Sequence, residues 1–427
     1  MTDAFRTDVR PGARAVLSLL ARNPSFARLY AAQLVSFGGD WFAQVALAGL
    51  VYQLTRSAAL VTLILVTHML SIAVFSPIGG HLADRLDRRR LMVAADLIRM
   101  VLALGFLLVD RPDQVWLVYV LAAGIGGLTA VFEPTSSAAV PNLVDPDDLP
   151  AANVLVGSAW GTMLAVGGAL GGIVAATLGR DAAFIGDAAT FGVSAVLLVG
   201  IRRRFAEQRT GEHPGIAEAV VETVRYARRD HRVLALLSVK GGFGLAGGVI
   251  GLLPLLALTV YDAGDRGTGI LLAARGLGAL TGPFLARRFT RDLRSLFLAI
   301  GASFAVFGVS YAMVPLAGGL WMAAVFVLAG HLGGGAQWTL STYGLQRIVP
   351  DRIRGRVFSF DFGLVTLTMA GSILLAGWAA DRFGVRPVVT IVALVALAWA
   401  VVWSALTTSI RREHRETERP ALAASVR

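Results

Sequence analysis

The stretch GGHLADRLDRRR, residues 79–90, decides the fold because it sets a dense charge cluster inside an otherwise apolar chain. Six of the seven positions from Asp84 to Arg90 are charged, and long apolar runs flank them on both sides. The same alternation of apolar runs and short charged loops recurs along the sequence. A run of about 20 apolar residues crosses a bilayer core of roughly 30 Å. The pattern therefore predicts a polytopic, all-α membrane protein.

Composition supports this fold class and excludes several others. The 427 residues are 56% hydrophobic and 16% charged, with a mean hydropathy of +0.67, whereas soluble domains carry about 25% charged residues. The net charge of +11 comes from short basic loops between apolar runs, which is typical of membrane topology signals. We therefore expect a lipid bilayer as partner and no nucleic acid.

The sequence predicts neither an enzyme nor a resident cofactor. It contains no cysteine, no phosphate-binding Walker loop, no HExxH and no GxSxG, and no residues at metal-site spacing. We expect no catalytic residues, no metal and no cofactor, with a proton gradient as the energy source.

Twelve apolar runs are predicted to span the membrane as helices. The first half holds six of them, at residues 27–53, 58–79, 91–109, 114–138, 152–178 and 182–200. The second half holds the other six, at residues 233–260, 267–286, 294–314, 319–345, 356–379 and 386–409.

Basic residues predict the orientation. The N-terminal segment, the even-numbered loops and the C-terminal segment hold 30 of the 39 Lys and Arg residues, and the odd-numbered loops hold six. The positive-inside rule then places both termini in the cytoplasm of a protein of the cell membrane. The predicted units are a cytoplasmic leader, a first bundle, a linker with an interfacial helix, a second bundle and a cytoplasmic tail, at residues 1–25, 26–200, 201–232, 233–410 and 411–427.

The two halves repeat each other weakly. With a shift of 203 positions, Gly79, Leu82, Ala83, Arg85 and Arg88 coincide with identical residues of the second half. Fainter echoes of the opening stretch, at residues 172–180 and 377–386, lie in the odd-numbered loops, as inverted three-helix repeats would place them. Two parallel six-helix repeats are typical of transporters with a substrate site near the membrane midplane.

The motif Gly80-x-Leu82-Ala83-Asp84-Arg85-x-x-Arg88-Arg89 resembles the loop between the second and third helices of the major facilitator superfamily. Asp87 stands where that family usually has glycine. The stretches SFGGDW, FEPTSSAAVPNLV, FIGDAATF and VPDRIRGRVFS are similar to the bacterial macrolide-efflux and siderophore-exporter branch, and the resemblance covers about residues 20 to 410. It implies a gating loop at Gly80, Asp84, Arg85, Arg88 and Arg89, with Asp84 capping helices of the opposite half in one state.

Glycines in the fifth predicted helix resemble a run that proton-driven exporters of this superfamily carry. GGALGG, residues 167–172, has Gly168 where the family has proline. The resemblance implies export, while the alternative is plain close packing of helices. The predicted packing glycines are Gly157, Gly161, Gly167, Gly171 and Gly172.

Charged residues inside the predicted spans are costly and point to function. By resemblance, Asp40 faces the cavity, where it either carries the coupled proton or is held by nearby polar groups. Asp96 and Arg99 lie three residues apart on one helix, at a depth similar to that of Glu133. These three either form a buried structural ion pair or include a proton carrier, in which case we choose Glu133.

The second half has its own intramembrane charges. Lys240 and Asp361 lie at a similar depth and are expected to pair across helices. Arg275 has three open interpretations: it binds an anionic substrate group, closes a gate against the first half, or pairs with a backbone carbonyl beside Gly276. Trp41, Phe243, Trp338 and Tyr343 are candidates for an apolar cavity wall, with simple packing as the alternative.

The function that these features predict is secondary active efflux of a small amphiphilic compound, such as a drug, macrolide or siderophore-like molecule. The predicted mechanism is proton-coupled antiport by alternating access, carried out by a monomer. A uniporter or a lipid or lysolipid flippase of the same fold is the first alternative. A non-transporting membrane sensor or scaffold is the alternative from another class.

Overall fold

The computed structural model describes residues 13–201, 216–286, 289 and 292–412. Residues 1–12 of the predicted leader, residues 202–215 of the predicted linker and residues 413–427 of the predicted tail lie outside the described residues. Within these ranges the chain is helical, contains no strand, and has twelve helical segments long and apolar enough to cross a membrane. The predicted fold class is confirmed.

The first half contains seven helices in the described residues, of which α1 is short and the other six span the bundle. They are α1 (Ala13–Arg22), α2 (Pro24–Thr55), α3 (Ala58–Arg85), α4 (Arg88–Gly105), α5 (Val115–Leu143), α6 (Leu149–Thr177) and α7 (Arg180–Val199). The second half begins with α8 (Ile216–Arg229) and a broken span formed by α9 (His231–Leu245), α10 (Gly248–Gly251) and α11 (Leu253–Leu255). It ends with α12 (Gly264–Ala286), α13 (Leu293–Met313), α14 (Leu320–Ile348), α15 (Asp351–Phe383) and α16 (Val385–Leu406).

Short polar caps separate the helices. The Asp87 carboxylate accepts a hydrogen bond of 2.8 Å from the backbone N–H of Arg90 and thereby caps α4. The opening motif is thus helical up to Arg85, and its loop is reduced to Leu86 and Asp87. Aspartate is a favoured N-cap because its side chain satisfies a free N–H at the helix start. This role explains how the chain turns without the glycine of the resembling family.

The seventh span departs from the continuous helix that the apolar run predicts. After α9 the backbone turns at Gly247, continues as two short helices, and ends in a π-helical turn at Leu256–Val260. Glycine lowers helix stability, and Pro254 cannot donate a backbone hydrogen bond to the preceding turn. The break lets the seventh span bend beside α15, where the Gly248 N–H donates a hydrogen bond to Ser372 Oγ at 3.0 Å.

The repeat between the halves is visible in how helices pack. Gly79 on α3 lies against the backbone carbonyl of Ala130 on α5, and a side chain there would collide with it. Gly282 on α12 lies in the same way against the carbonyl of Leu332 on α14. The weak sequence match between the halves therefore marks equivalent close contacts between helices, which small residues permit.

The two halves meet along two seams. We call the end of the bundle where α7 ends and α9 begins the linker end, and the opposite end, where α2 ends and α7 begins, the far end. One seam joins α6 to α12, and the other joins α3 to α15. The linker helix α8 lies at the linker end, where Glu222 pairs with Arg356 of α15.

Both seams are tight at the far end and separate toward the linker end. A Cβ added to Gly172 would come within 2.7 Å of Gly269 Cα, and one added to Gly161 would meet Leu280 at 3.4 Å. A Cβ added to Gly157, one turn further toward the linker end, would meet nothing within 4 Å. Gly167 and Gly171 face α2 instead, against Gly38 and Phe42.

The second seam, between α3 and α15, is also tightly packed at the far end and separated toward the linker end. Gly377, near the far end of α15, lies so close to Thr62 on α3 that an added Cβ would stand 3.0 Å from Thr62 Cβ. Gly363 and Gly355 follow toward the linker end, and an added Cβ at each would meet no atom within 4 Å. The bundle is therefore closed at the far end and opens toward the linker end.

Candidate functional site

A buried ion pair lies at the centre of the first half. Arg99 and Asp96, both on α4, are fully buried and form a salt bridge with each other. Ser194 on α7 donates a further hydrogen bond to Asp96 at 2.6 Å. The Arg99 guanidinium carbon lies 4.7 Å from the ring centre of Phe132 and 4.6 Å from that of Phe191. Aromatic faces stabilise a desolvated cation, so this pair has the surroundings that a buried charge needs.

Three further carboxyl groups surround this pair without an ion-pair or hydrogen-bond partner of their own among the described residues. Asp40 on α2 and Glu133 on α5 are partly exposed, whereas Asp187 on α7 is buried and its Oδ1 has no hydrogen-bond partner. Asp187 lies against the backbone next to Asp40, because a Cβ added to Gly39 would stand 2.5 Å from Asp187 Oδ1. The sequence predicted Asp96 and Arg99 as a pair with Glu133 at the same depth; the structure forms the salt bridge between Asp96 and Arg99, and Glu133 is not part of it.

These groups form one electrostatic unit, which we call the carboxyl cluster: Asp40, Asp96, Glu133 and Asp187 around Arg99. Arg99 attracts each of the other three carboxyl groups as well as Asp96, and Asp40 repels Glu133 and Asp187. One cation balances only one carboxylate, and an unpaired carboxylate away from water is costly. Arg99 therefore leaves three of the four acidic groups without a full counter-charge.

The second half holds a separate ion pair. Lys240 on α9 forms a salt bridge with Asp361 on α15, and both side chains are buried. The Lys240 ammonium also donates to Thr342 Oγ1 at 2.9 Å and lies 4.7 Å from the ring centre of Trp338. The structure thus brings together the two residues whose similar depth in the sequence suggested pairing.

Arg275 on α12 reaches across the first seam. Its guanidinium carbon lies 5.4 Å from the ring centre of Trp41 and 5.6 Å from that of Trp160, both in the first half. The two indole rings meet edge to face with centres 5.9 Å apart. Arg275 is 7% exposed, and its Nε has no hydrogen-bond partner. Of the three interpretations drawn from the sequence, this geometry fits a contact between the halves.

The other aromatic candidates lie in two different settings. Phe243 is buried, with its ring centre 5.1 Å from that of Phe307 and 6.2 Å from that of Trp338. Trp338 and Tyr343 on α14 are partly exposed, and the Arg347 Nε donates to the Tyr343 hydroxyl at 3.1 Å. Phe243 therefore belongs to the packed interior of the second half, and Trp338 links that interior to Lys240.

The predicted gating residues lie at the linker end. Arg88 is buried and donates to the Ala138 carbonyl at 2.9 Å, and Arg89 donates to the Ile201 carbonyl at 2.9 Å. Arg85 is exposed, and a Cβ added to Gly80 would meet nothing within 4 Å. The side chain of Asp84 lies outside the described part, so the capping role implied by resemblance stays a prediction.

Two contacts between the halves at the far end were not predicted. The Asp381 carboxylate accepts hydrogen bonds from Ser57 Oγ at 2.8 Å and from the backbone N–H groups of Ala58 and Ala59 at 2.5 and 3.1 Å. It therefore caps α3 from the opposite half. The sequence echo at residues 377–386 contains Asp381 and was the signal available for this contact.

The second far-end contact is an ion pair. Arg180 Nε, at the start of α7, lies 2.8 Å from Asp265 Oδ2, at the start of α12 in the opposite half, and Arg180 also donates to Gln53 at 2.5 Å. Arg180 is the last residue of the other sequence echo, at residues 172–180. The two echoes thus supply one charged residue each to the closed end of the bundle.

No group of three His, Asp or Glu side chains in the described part of the chain has the arrangement of a metal site.

Comparison with known proteins agrees with this architecture. Residues 17–424 match the profile of the family described as transmembrane secretion effector, within the major facilitator superfamily. The chain is 25% identical over 384 residues to the uncharacterized MFS-type transporter YfiS of Bacillus subtilis, covering 82% of this chain and 86% of that one. It is 24% identical over 373 residues to macrolide efflux protein A of Streptococcus pyogenes, covering 84% and 90%.

Two further similarities extend the comparison. Enterobactin exporter EntS of Citrobacter koseri is 24% identical over 380 residues, with 85% of this chain and 87% of that one covered. Among solved structures, a bacterial homolog of the human lysosomal transporter Spinster superposes with a TM-score of 0.72 at 14% identity, covering 93% of this chain and 98% of that one. At that identity the superposition shows the shared fold.

Proposed function

Because the chain belongs to the transmembrane secretion effector family of the major facilitator superfamily and is an efflux transporter, we propose that it exports a small amphiphilic compound in exchange for protons. Transporters of this superfamily act without a cofactor. The observation that carries the proton exchange is the carboxyl cluster, with four acidic groups around the single cation of Arg99.

The proposed orientation places the linker end in the cytoplasm of a plasma-membrane protein. It is supported by the excess of Lys and Arg at that end of the bundle. With this orientation, the arrangement that is tight at Gly172 and open at Gly157 is the inward-facing state. Outward opening then requires the Asp381 cap and the Arg180–Asp265 pair to break. In this proposal the two halves rock about Arg275, which contacts Trp41 and Trp160 across the first seam.

Protonation supplies the coupling in this proposal. A proton taken up by Asp40 or Glu133 neutralises a carboxylate whose charge Arg99 does not compensate. Without that charge, water can leave the site at a lower cost in free energy. Loss of that proton on the cytoplasmic side restores the charge and favours the hydrated, inward-facing state. A bound proton shifts the equilibrium between the two conformations only by as much as its affinity for the site differs between them.

The substrate class is proposed from the site and from the relatives. Trp41 and Trp160 offer partly exposed rings beside the opening, and such walls suit amphiphilic compounds. The printed names of two relatives, a macrolide efflux protein and an enterobactin exporter, indicate bulky natural products. We propose macrolide-like or siderophore-like compounds and lipophilic cations as the first to be tested.

Everted membrane vesicles test the function directly. Vesicles containing the protein are offered tetraphenylphosphonium, a macrolide and a catecholate siderophore while a proton gradient, acid inside, is imposed. We expect at least one compound to accumulate, and to be released when a protonophore collapses the gradient. Vesicles without the protein are the control. Protein-dependent flux that persists without the gradient would instead support a uniporter or flippase of the same fold.

Arg275 provides a second test, because it occupies the aromatic pair that a cationic substrate would use. Removing it with Arg275→Ala is expected to increase the affinity for tetraphenylphosphonium by about twofold to thirtyfold, the equivalent of ~0.5–2 kcal/mol for a cation on an aromatic face. Equilibrium binding of the labelled cation measures the change. Arg382→Ala is the matched control, since Arg382 lies 4.3 Å from the ring centre of Trp378 on the outer surface of the bundle. An unchanged or lower affinity in Arg275→Ala would contradict a role for these rings in cation binding.

A further inference from the structure

An apolar groove crosses the second seam on the outside of the bundle. Its volume is about 520 Å³, which is within the range of roughly 300–1,000 Å³ for small-ligand sites. Leu375 is 67% exposed and Trp378 48% exposed on a membrane-spanning helix, so the groove opens toward lipid. It is lined by Ala59, Leu60 and Leu63 of α3 and by Gly371, Leu374, Leu375 and Trp378 of α15.

The groove lies directly beside the closed part of the seam. Its α3 wall starts at Ala59, whose N–H donates to Asp381, and its α15 wall flanks Gly377, which packs against Thr62. Along α15 it runs from Gly371 to Trp378, a rise of about 10 Å. An occupant of the groove therefore contacts both halves at once, next to the contacts that close the far end.

A positive charge stands at the far-end mouth of the groove. The Arg382 guanidinium carbon lies 4.3 Å from the ring centre of Trp378, which lines the groove. Arg382 is exposed, and no carboxylate lies within ion-pair distance of it among the described residues. The adjacent Asp381 carboxylate is occupied by Ser57, Ala58 and Ala59. An arginine beside a tryptophan at the end of a spanning helix is the arrangement found at lipid headgroup level.

We propose that this groove binds an anionic phospholipid, with an acyl chain along the apolar wall and the phosphate on Arg382. A guanidinium group is suited to phosphate because it presents several N–H donors in one plane. The lipid bridges α3 and α15 in the far-end-closed arrangement, so it stabilises that arrangement relative to the far-end-open one. It is a bound regulator of the conformational equilibrium and is distinct from the exported compound.

The glycine at the bottom of the groove gives a clean way to fill it. A Cβ added to Gly371 meets no atom within 4 Å, so Gly371→Phe places a ring in the groove without a collision at the backbone. Gly363→Phe, two turns away on the same helix and equally unobstructed, is the matched control. For the charge, Arg382→Gln is compared with Arg386→Gln, which removes another exposed arginine of the far end.

Native mass spectrometry measures the bound lipid on the purified protein, using phosphatidylglycerol and phosphatidylcholine with identical acyl chains. We expect the wild type to retain phosphatidylglycerol in preference, and Arg382→Gln to lower that preference about fivefold, the effect of one basic residue at a lipid surface. Gly371→Phe should lower retention of both lipids, while Gly363→Phe and Arg386→Gln leave retention unchanged.

Three results would overturn the proposal. They are equal retention of the two lipids by the wild type, an unchanged preference in Arg382→Gln, and an unchanged retention in a well-folded Gly371→Phe protein. If Gly371→Phe does not yield a monodisperse protein, the Arg382→Gln comparison decides alone, because that exposed side chain contributes nothing to the interior.

Discussion

Replacing Arg99 by leucine is expected to lower the free energy of unfolding by about 3–5 kcal/mol, the cost of leaving a buried charge without its partner. Asp96 would keep only the hydrogen bond from Ser194, in a position with no exposure to solvent. The aromatic faces of Phe132 and Phe191 would also lose the cation between them. Reversible unfolding of the purified protein in mixed detergent micelles measures the change.

The double variant Asp96→Leu with Arg99→Leu separates charge from packing. It removes both members of the pair, so we expect it to recover most of the lost stability. Arg111→Leu serves as the matched control, because Arg111 is 63% exposed and pairs only with exposed carboxylates at a loop. Its effect should stay below about 1 kcal/mol. A loss in Arg99→Leu no larger than that in Arg111→Leu would show that the pair is not a structural requirement.

Replacing Asp40 by asparagine is expected to reduce proton-driven accumulation of the exported compound to background. Asparagine keeps the size and polarity of the side chain but cannot bind and release a proton. Substrate flux would then no longer be linked to the proton gradient. Exchange of labelled for unlabelled substrate at equal concentrations needs no net proton movement, so we expect that activity to remain. The two assays are run on the same preparation of proteoliposomes.

Asp147→Asn is the matched control for this experiment, because Asp147 is an exposed acid in the loop between α5 and α6. Accumulation in that variant should equal the wild-type level. Accumulation at the wild-type level in Asp40→Asn would remove Asp40 from the coupling. Glu133→Gln, measured in parallel, then tests the remaining partly exposed member of the carboxyl cluster.

The spans were predictable because the length of an apolar run and the hydrophobic thickness of a bilayer determine them together. The residues at which the helices end were less predictable. The second span was expected to end at residue 79, yet α3 continues to Arg85. Outside the apolar layer, hydropathy no longer distinguishes helix from loop. The break after α9 was also missed, because the glycines of the seventh span resemble the packing glycines of unbroken helices such as α6.

Charge pairs were predictable where depth in the membrane or spacing along one helix brings the two residues together. Lys240 and Asp361 were expected to pair because each lies a similar distance from the same membrane face, and they do meet. Asp96 and Arg99 were expected to pair because they lie three residues apart on one helix, and they form a salt bridge. Whether Glu133, at a similar depth, joins that pair is decided only by the fold. The partners of Arg275 and Asp381 belong to the opposite half, so no pattern within one helix indicates them.

The hydrogen bonds from the start of α3 to Asp381 imply an energy scale for the transport cycle. Losing an N-cap costs a helix about 0.5–2 kcal/mol, and a partly exposed ion pair such as Arg180–Asp265 adds at most about 1 kcal/mol. One proton moving down a difference of one pH unit releases about 1.4 kcal/mol, and a membrane potential of 100 mV adds about 2.3 kcal/mol per charge. If transport is driven by protons in the proposed orientation, the far-end contacts are matched to the work of a single proton: strong enough to hold the far end shut between turnovers, and weak enough for the free energy of one proton to cover their opening.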